Sequence, residues 1–367
     1  MSTISSSPVV TNPRLGRAGI PTVMLGTWKS PAAEMTTAVN AALSVGLRAF
    51  DTANDYDNES TIGAALAAAI ASGVVKREEL FIQSKLWNTN HRPEHVKPDL
   101  LATLADLQLT YVDCFVIHWP QASPSNGRLS LCKDGSRAAH KSENTMFPLE
   151  DDGTYCNDMT SHFVDTWRAM EALVDEGLVR HIGLSNFNRS QVGEILSIAR
   201  IRPVVLQNES HPHLAELDLR AFCRINDIVF QAYSPLLSPD RPWLISGSIT
   251  SGPPPTGHEL LDNPTIKAIA AKHSKSAAQV VLRWHVQLRG AVAVKSVRPE
   301  RIRENLQIFD FELTDADMAA LADLNIGWRH LLWTETAGHP DYPFKEQLPF
   351  GFSVGKAPTN TGKSGKA

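Results

Sequence analysis

A closed (β/α)8 barrel of the TIM type is the fold class that this chain of 367 residues predicts. Three observations carry it. Short apolar, β-branched runs alternate with helix-period segments, which indicates βα units and a parallel sheet. Eight such runs follow one another, the number that closes a barrel of about 250 residues or more. No GxGxxG follows the first run, as an open dinucleotide-binding sheet, the runner-up, would normally require.

The units run in order. VMLGTW precedes the helical AAEMTTAVNAALSVG, AFDTA precedes ESTIGAALAAAIASG, and LFIQSKL precedes PEHVKPDLLATLADLQ. VDCFVIHWP is followed, past a long loop, by the helix HFVDTWRAMEALVDEG. HIGLSN, PVVLQNE, IVFQAYSPL and AVAVKSV supply the last four strands, with helical segments such as LDLRAFCRIND and NPTIKAIAAKH between them. Residues 13–22 read as a hairpin capping the bottom of the barrel. Residues 121–160 are too long and polar for a plain connector, and such loops are usually functional or mobile. The reading is one barrel domain over residues 13–352 and a disordered tail over 353–367, whose composition (SVGKAPTNTGKSGKA) suits solvated chain.

A net charge of −4 gives no electrostatic argument for nucleic acid or an anionic membrane as partner. No window approaches the roughly 20 apolar residues of a membrane span. MSTISSSPVV has neither the basic nor the apolar region of a secretion signal, so a cytoplasmic location is expected; a monomer is the default expectation, without a sequence feature that decides it. Cys114, Cys132, Cys156 and Cys223 lack metal-ligand spacing and read as free thiols, a local Cys132–Cys156 bridge being the alternative. His211, His213, His330 and His339 offer no third ligand with metal-site spacing, so no metal is expected.

In such a barrel the active site forms where strands end. Asp51 and Tyr56 follow the second strand in FDTANDYDNES, Lys85 ends the third and His118 ends the fourth. Tyr56, Lys85 and His118 are spaced about one βα unit apart, roughly 30 residues each. Singly, each has a structural explanation; their joint register at strand ends favours proton chemistry. A tyrosine phenol, with a pKa near 10, is a weak acid for neutral pH. The Lys85 ammonium is expected to lower that pKa, with Asp51 holding the lysine charged, so that Tyr56 can protonate a developing alkoxide. His118 is expected to donate to the carbonyl oxygen.

The hydride has to come from a cofactor. Ser185, Asn186 and Gln207 can hold a carboxamide, and Tyr233 can stack on a nicotinamide ring. Lys295, Ser296, Arg298, Arg301, Glu304 and Asn305 cluster after the eighth strand. A helix starting near Pro299 would offer its N-terminus to a phosphate. Arg and Lys together suit a 2′-phosphate, hence NADP(H).

GTWKS, FDTANDYDNE, IQSKLWNTNH, VIHWP, GLSNFN, QAYSPL and KSVRPERIREN, in this order from about Leu15 to Trp328, resemble the aldo-keto reductases, with further similarity in GHPDYPF. The resemblance implies a barrel that binds extended NADP(H) and reduces aldehydes or ketones, with Asp51, Tyr56, Lys85 and His118 as catalytic tetrad. It places nicotinamide contacts on Ser185, Asn186, Gln207 and Tyr233, and adenine-end contacts on Lys295, Ser296, Val297, Arg301, Glu304 and Asn305. It adds Gly26, Thr27 and Trp28 from the first strand, and Ser234, Leu236 and Ser238 from the loop after the seventh. Val294, Arg298 and Leu237 depart from proline, a small polar residue and glycine in many relatives.

For substrate, the resemblance and the aromatic pocket point to Trp28, Tyr56, Trp87, His118 and Trp119, with Phe147 beside them. Asp55 stands where sugar-reducing relatives often carry aspartate and detoxifying ones an apolar residue, and a carboxylate there can accept from substrate hydroxyls. The expected substrate is a small polyhydroxy aldehyde. The alternatives are a polyol or hydroxysteroid dehydrogenase working oxidatively, and an NADPH-binding module with little turnover.

Overall fold

The computed structural model describes residues 12–125, 146–148, 150, 154–237, 260–348 and 352. Its first element is a hairpin, β1 (Arg14–Leu15) and β2 (Ile20–Pro21), paired antiparallel. The hairpin lies across the starts of later strands, as the sequence predicts. Arg17 donates to the carbonyls of Arg202, Pro203 and Asp227, and a Cβ on Gly16 would come within 2.8 Å of Val229. Gly16 also has a φ of 62°, so two independent demands exclude a side chain there.

Eight parallel strands follow: β3 (Val23–Gly26), β4 (Ala49–Asp51), β5 (Phe81–Leu86), β6 (Val112–Ile117), β7 (Val179–Ser185), β8 (Val205–Glu209), β9 (Val229–Tyr233) and β10 (Ala291–Lys295). They pair in sequence order and β10 closes on β3, with Lys295 opposite Gly26. The closed barrel of the sequence reading is therefore the fold, and the open sheet is not. β7 begins two residues before HIGLSN because Val179 pairs with Val112 on β6.

The outer helices are α1 (Ala32–Ser44), α2 (Glu59–Ala71), α3 (Pro93–Leu107), α4 (Phe163–Asp175), α5 (Arg189–Ile198) and α6 (Leu217–Ile225), then α7 (Pro264–His273) and α8 (Ala277–Gln287) before β10, and α9 (Pro299–Leu306) and α10 (Asp315–Ala322) after it. Their starts follow local chemistry. Asn188, Ser276 and Thr314 cap α5, α8 and α10 with reciprocal side-chain bonds, and α3, α7 and α9 carry proline in the first turn.

Strands covered by helices on one side and by barrel filling on the other are largely apolar, and β5 and β6 are buried along their whole length, their polar residues included. The main apolar core runs between strands and helices. A second cluster joins α7, α8 and α10, and a third, of Trp87, Trp119, Leu332, Tyr342 and Phe344, sits over the strand ends. Among the described residues, no helix is long and apolar enough to cross a membrane. Cys114, Cys156 and Cys223 are free thiols; Cys132 and the 353–367 tail lie outside the described residues.

Candidate active site

The end of β4 sets the site. Gly26 and Gln83 flank Asp51 in register, and the Asp51 carbonyl accepts from both the N–H and the hydroxyl of Thr27. The chain then turns through Asn54–Tyr56 and leaves by Asp57, whose φ of 55° ends the turn. Two amides hold this turn: Asn58 donates to the carbonyls of Thr27 and Ser30, and Asn54 donates to Asp99 on α3. Asp99 also accepts from Asn90, so one carboxylate ties the loop after β4 to the loop after β5. Tyr56 is thereby aimed at a fixed place above the strands.

Lys85 is wholly buried at the end of β5. Its Nζ lies 3.0 Å from each Asp51 carboxylate oxygen and 2.8 Å from the Thr52 carbonyl, and 4.8 Å from the centre of the Tyr56 ring. The ammonium is thus paired and hydrogen-bonded, as a buried charge must be. His118 follows β6, its ring edge-on to both Tyr56 (5.8 Å between centres) and Trp87 (5.1 Å). The Asp55 carboxylate stands 3.2 Å from His118 Nδ1. All four tetrad positions converge on one mouth.

The electrostatics of Tyr56 differ from the sequence expectation. Burial, and then the charges of Asp51 and Asp55, push its phenol well above the ordinary tyrosine value. The Lys85 charge, spent on Asp51, does not offset them. Tyr56 therefore keeps its proton at neutral pH.

Beneath the mouth lies a polar layer that the sequence reading missed. Gln83 and Gln207 both donate to Asp51 Oδ1, at 2.7 and 3.0 Å, and both donate to Gln231 Oε1 at 2.8 Å. Alternation was the available signal: residues two apart on a strand share a face, so Gln83 accompanies Lys85 and Gln231 accompanies Tyr233. Gln207, expected at a carboxamide, spends its N–H groups inside this layer and leaves its carbonyl for a ligand.

Ser185 and Asn186 end β7, both buried. Asn186 adopts a left-handed φ of 61°, donates to the His118 carbonyl and accepts from the Tyr233 hydroxyl at 2.8 Å. This interlock joins the Tyr56 and His118 side of the mouth to the Tyr233 side. Ser234 and Leu237 also have left-handed φ values, 47° and 59°, and Leu236 packs into the cores; Ser238 lies outside the described residues.

At the eighth strand, Lys295, Arg298 and Arg301 are exposed at the entry to α9, and among the described residues none has an ion-pair partner. No side chain caps the first turn of α9. Free cations beside uncapped helical N–H groups fit a phosphate-bearing cofactor. Ser296 and Asn305 are buried there, while Val297 and Glu304 are half-buried. Gly26 lies against this end, where a Cβ would sit 3.4 Å from β10 backbone.

The wall of the mouth around Trp87 and Trp119 is aromatic, and Trp333 there was not foreseen. It stacks on Trp87 (5.4 Å, 23°) and meets Trp119, Phe147 and Tyr155 edge-on. Its φ of 48° is uncommon for a bulky residue, and the Thr336 N–H and hydroxyl hold its carbonyl. Glu209, at the end of β8, anchors this segment by accepting from the N–H groups of His330 and Leu331, each at 2.7 Å. The GHPDYPF motif contributes too, as the Tyr342 hydroxyl donates to the Leu332 carbonyl. Trp28 is half-buried at the same mouth, beside the Lys29 ammonium.

Comparison with known proteins gives the family. The model of the Aldo/keto reductase family matches residues 19–326. Aldo-keto reductase family 1 member A1 of Gallus gallus is 44% identical over 337 residues, covering 89% of this chain and 95% of the relative, and the Homo sapiens protein of that name is likewise 44% identical with the same coverage. Among solved structures, the aldose reductase from Schistosoma japonicum superposes with a TM-score of 0.77 at 38% identity, covering 92% of this chain and all of that one. The chain therefore belongs to the aldo/keto reductase family and is an oxidoreductase of carbonyl and alcohol groups that works with a nicotinamide cofactor.

Proposed function

We propose that this protein is an NADPH-dependent reductase of small polyhydroxy aldehydes, with Tyr56 as general acid. The observation that carries the reading is the convergence of Tyr56, His118 and the buried Lys85–Asp51 pair on one aromatic-walled mouth.

The cofactor, when bound, supplies the hydride. The chain's own residues hold and move the proton. Tyr56 enters protonated, so its hydroxyl can donate to a carbonyl oxygen and release its proton as negative charge develops there. The resulting phenolate has the Lys85 ammonium 4.8 Å from its ring centre, a charge that opposes the effects of burial and the two carboxylates without cancelling them. Asp51 keeps that ammonium in place, and the glutamine layer keeps Asp51 in place. His118 orients the substrate from the other side. Ser185, Asn186 and Gln207 would hold the carboxamide, Tyr233 the ring, and Lys295, Arg298 and Arg301 the adenine-end phosphate. Asp55 and the tryptophans Trp28, Trp87 and Trp119 combine a carboxylate with apolar walls, which suits a substrate carrying both hydroxyls and C–H faces.

The test is NADPH oxidation, followed by loss of its near-ultraviolet absorbance, with glyceraldehyde, xylose, glucuronate and an aliphatic aldehyde. Wild type turns over hydroxylated aldehydes, and Tyr56→Phe loses at least about a hundredfold in kcat while still binding NADPH. NADPH binding without turnover of any carbonyl refutes the reading.

A further inference from the structure

The two amides that cap α5 do more than start a helix. Asn188 Oδ1 accepts from the Gln191 N–H and Gln191 Oε1 accepts from the Asn188 N–H, both at 3.0 Å. This reciprocal pair satisfies the helix start with one oxygen of each side chain. The amide nitrogens remain, and both go to one short stretch of the GHPDYPF motif. Gln191 Nε2 donates to the Asp341 carbonyl at 2.7 Å, and Asn188 Nδ2 donates to the Pro343 carbonyl at 3.0 Å. Gln191 is 8% exposed, so water offers its amide little competition.

The stretch held in this way supports the aromatic wall of the mouth. Between the two carbonyls, the Tyr342 hydroxyl donates to the Leu332 carbonyl at 2.6 Å, next to Trp333. The segment is thus pinned near both ends, by Glu209 at His330 and Leu331 and by the α5 amides at Asp341 and Pro343. Trp333 lies between these anchors, stacked on Trp87 with its left-handed φ of 48°. A bulky residue keeps such a conformation only where its surroundings over-determine it. Thr336 and His339 have bonds of their own, to Gln121 and to the Asp158 carbonyl. Losing one anchor therefore loosens the wall without releasing the segment.

We propose that Gln191 is a positioning residue for the aromatic wall: its oxygen caps α5, while its amide nitrogen, through Asp341 and Tyr342, sets Trp333 against Trp87. This deepens the aldehyde reductase reading, and its kinetic consequences rest on that reading. The two jobs are separable because a carboxylate only accepts. Gln191→Glu keeps an acceptor for the Asn188 N–H, as the glutamate of an ordinary capping box does, but presents an oxygen to the Asp341 carbonyl. Gln191→Met loses both bonds.

The experiment compares wild type, Gln191→Glu and Gln191→Met, each with and without Trp333→Ala, at about pH 8, where a carboxyl of ordinary pKa is ionised. Urea unfolding reads the helix cap. 15N NMR of tryptophan-labelled protein reads the Trp333 indole, with Trp333→Ala assigning its signal. NADPH oxidation with 4-nitrobenzaldehyde and with glyceraldehyde reads the wall, since only the former is large enough to lean on it. Both Gln191 variants are expected to move the Trp333 signal. Both raise KM for 4-nitrobenzaldehyde about three- to tenfold, the worth of one hydrogen bond. Its kcat, the KM for glyceraldehyde and the Kd for NADPH stay within about twofold, less than one such bond. Gln191→Met alone lowers the urea midpoint. In the Trp333→Ala background neither substitution raises KM further, because the two residues act as one unit.

A Trp333 signal that stays in place in both variants overturns the proposal. So does a change confined to Gln191→Met, which belongs to the cap. Equal losses with both aldehydes, or weaker NADPH binding, overturn it as well, because they place the influence of Gln191 in the loop after β7. A KM effect that survives undiminished in Trp333→Ala does the same. Absence of NADPH oxidation with both aldehydes refutes the reductase reading, while the indole signal still decides whether Gln191 holds Trp333.

Discussion

Replacing Lys85 with methionine removes the charge from a buried ion pair of the site while keeping most of the side chain's volume. Asp51, 4% exposed, would then keep its carboxylate with two amide donors, Gln83 and Gln207, where it had two amides and an ammonium bonded to both oxygens. Breaking a buried pair by removing one partner costs about 3–5 kcal/mol. The surviving amide bonds place Lys85→Met at the lower end, about 3 kcal/mol. Asp51→Asn strands the ammonium instead, with the Thr52 carbonyl as its remaining strong acceptor, and falls in the same range. The double variant has no buried charge to strand, so it is more stable than either single one, by about 1–2 kcal/mol, although it is inactive. Urea unfolding, read as midpoint and slope for all four proteins, measures this directly. A Lys85→Met loss below about 1 kcal/mol, or a double variant as unstable as the sum of the two, would refute the argument that this pair is held by mutual neutralisation.

Two other outcomes follow from the same geometry. Burial alone would raise the Glu209 carboxyl, but the His211 hydrogen bond and the charges nearby outweigh it and bring it from 4.5 down to about 2. A depressed acid contributes stability that is complete above its unfolded value and is lost as pH falls toward its folded one. Acid destabilisation between about pH 4.5 and 2 should therefore flatten by roughly 3 kcal/mol in Glu209→Gln, read from urea midpoints across that range; an unchanged slope would refute it. Arg301→Ala should raise KM for NADPH about tenfold and leave KM for NADH nearly unchanged, because one exposed cation serves the extra phosphate alone. Equal effects on both cofactors would place Arg301 elsewhere.

Sequence alone determined the barrel and the place of its mouth. The reason is periodicity: apolar runs bounded by helical segments report their own burial, and the ends of those runs mark Asp51, Lys85 and His118 without knowledge of contacts. It also located the cationic entry to α9, since charge clustering and a proline in the first turn are local facts. What each group does to its neighbours was decided by tertiary structure. Gln207 and Gln231 face each other on the neighbouring strands β8 and β9, but Gln83 on β5 reaches them only when the barrel closes. Trp333 reaches Trp87 because Glu209, more than a hundred positions away in the chain (121 for the His330 contact), captures two backbone N–H groups. The direction of the Tyr56 shift depends on how far burial and two carboxylates outweigh an ammonium already engaged. Distances of a few ångströms set such balances, and a linear sequence does not contain them.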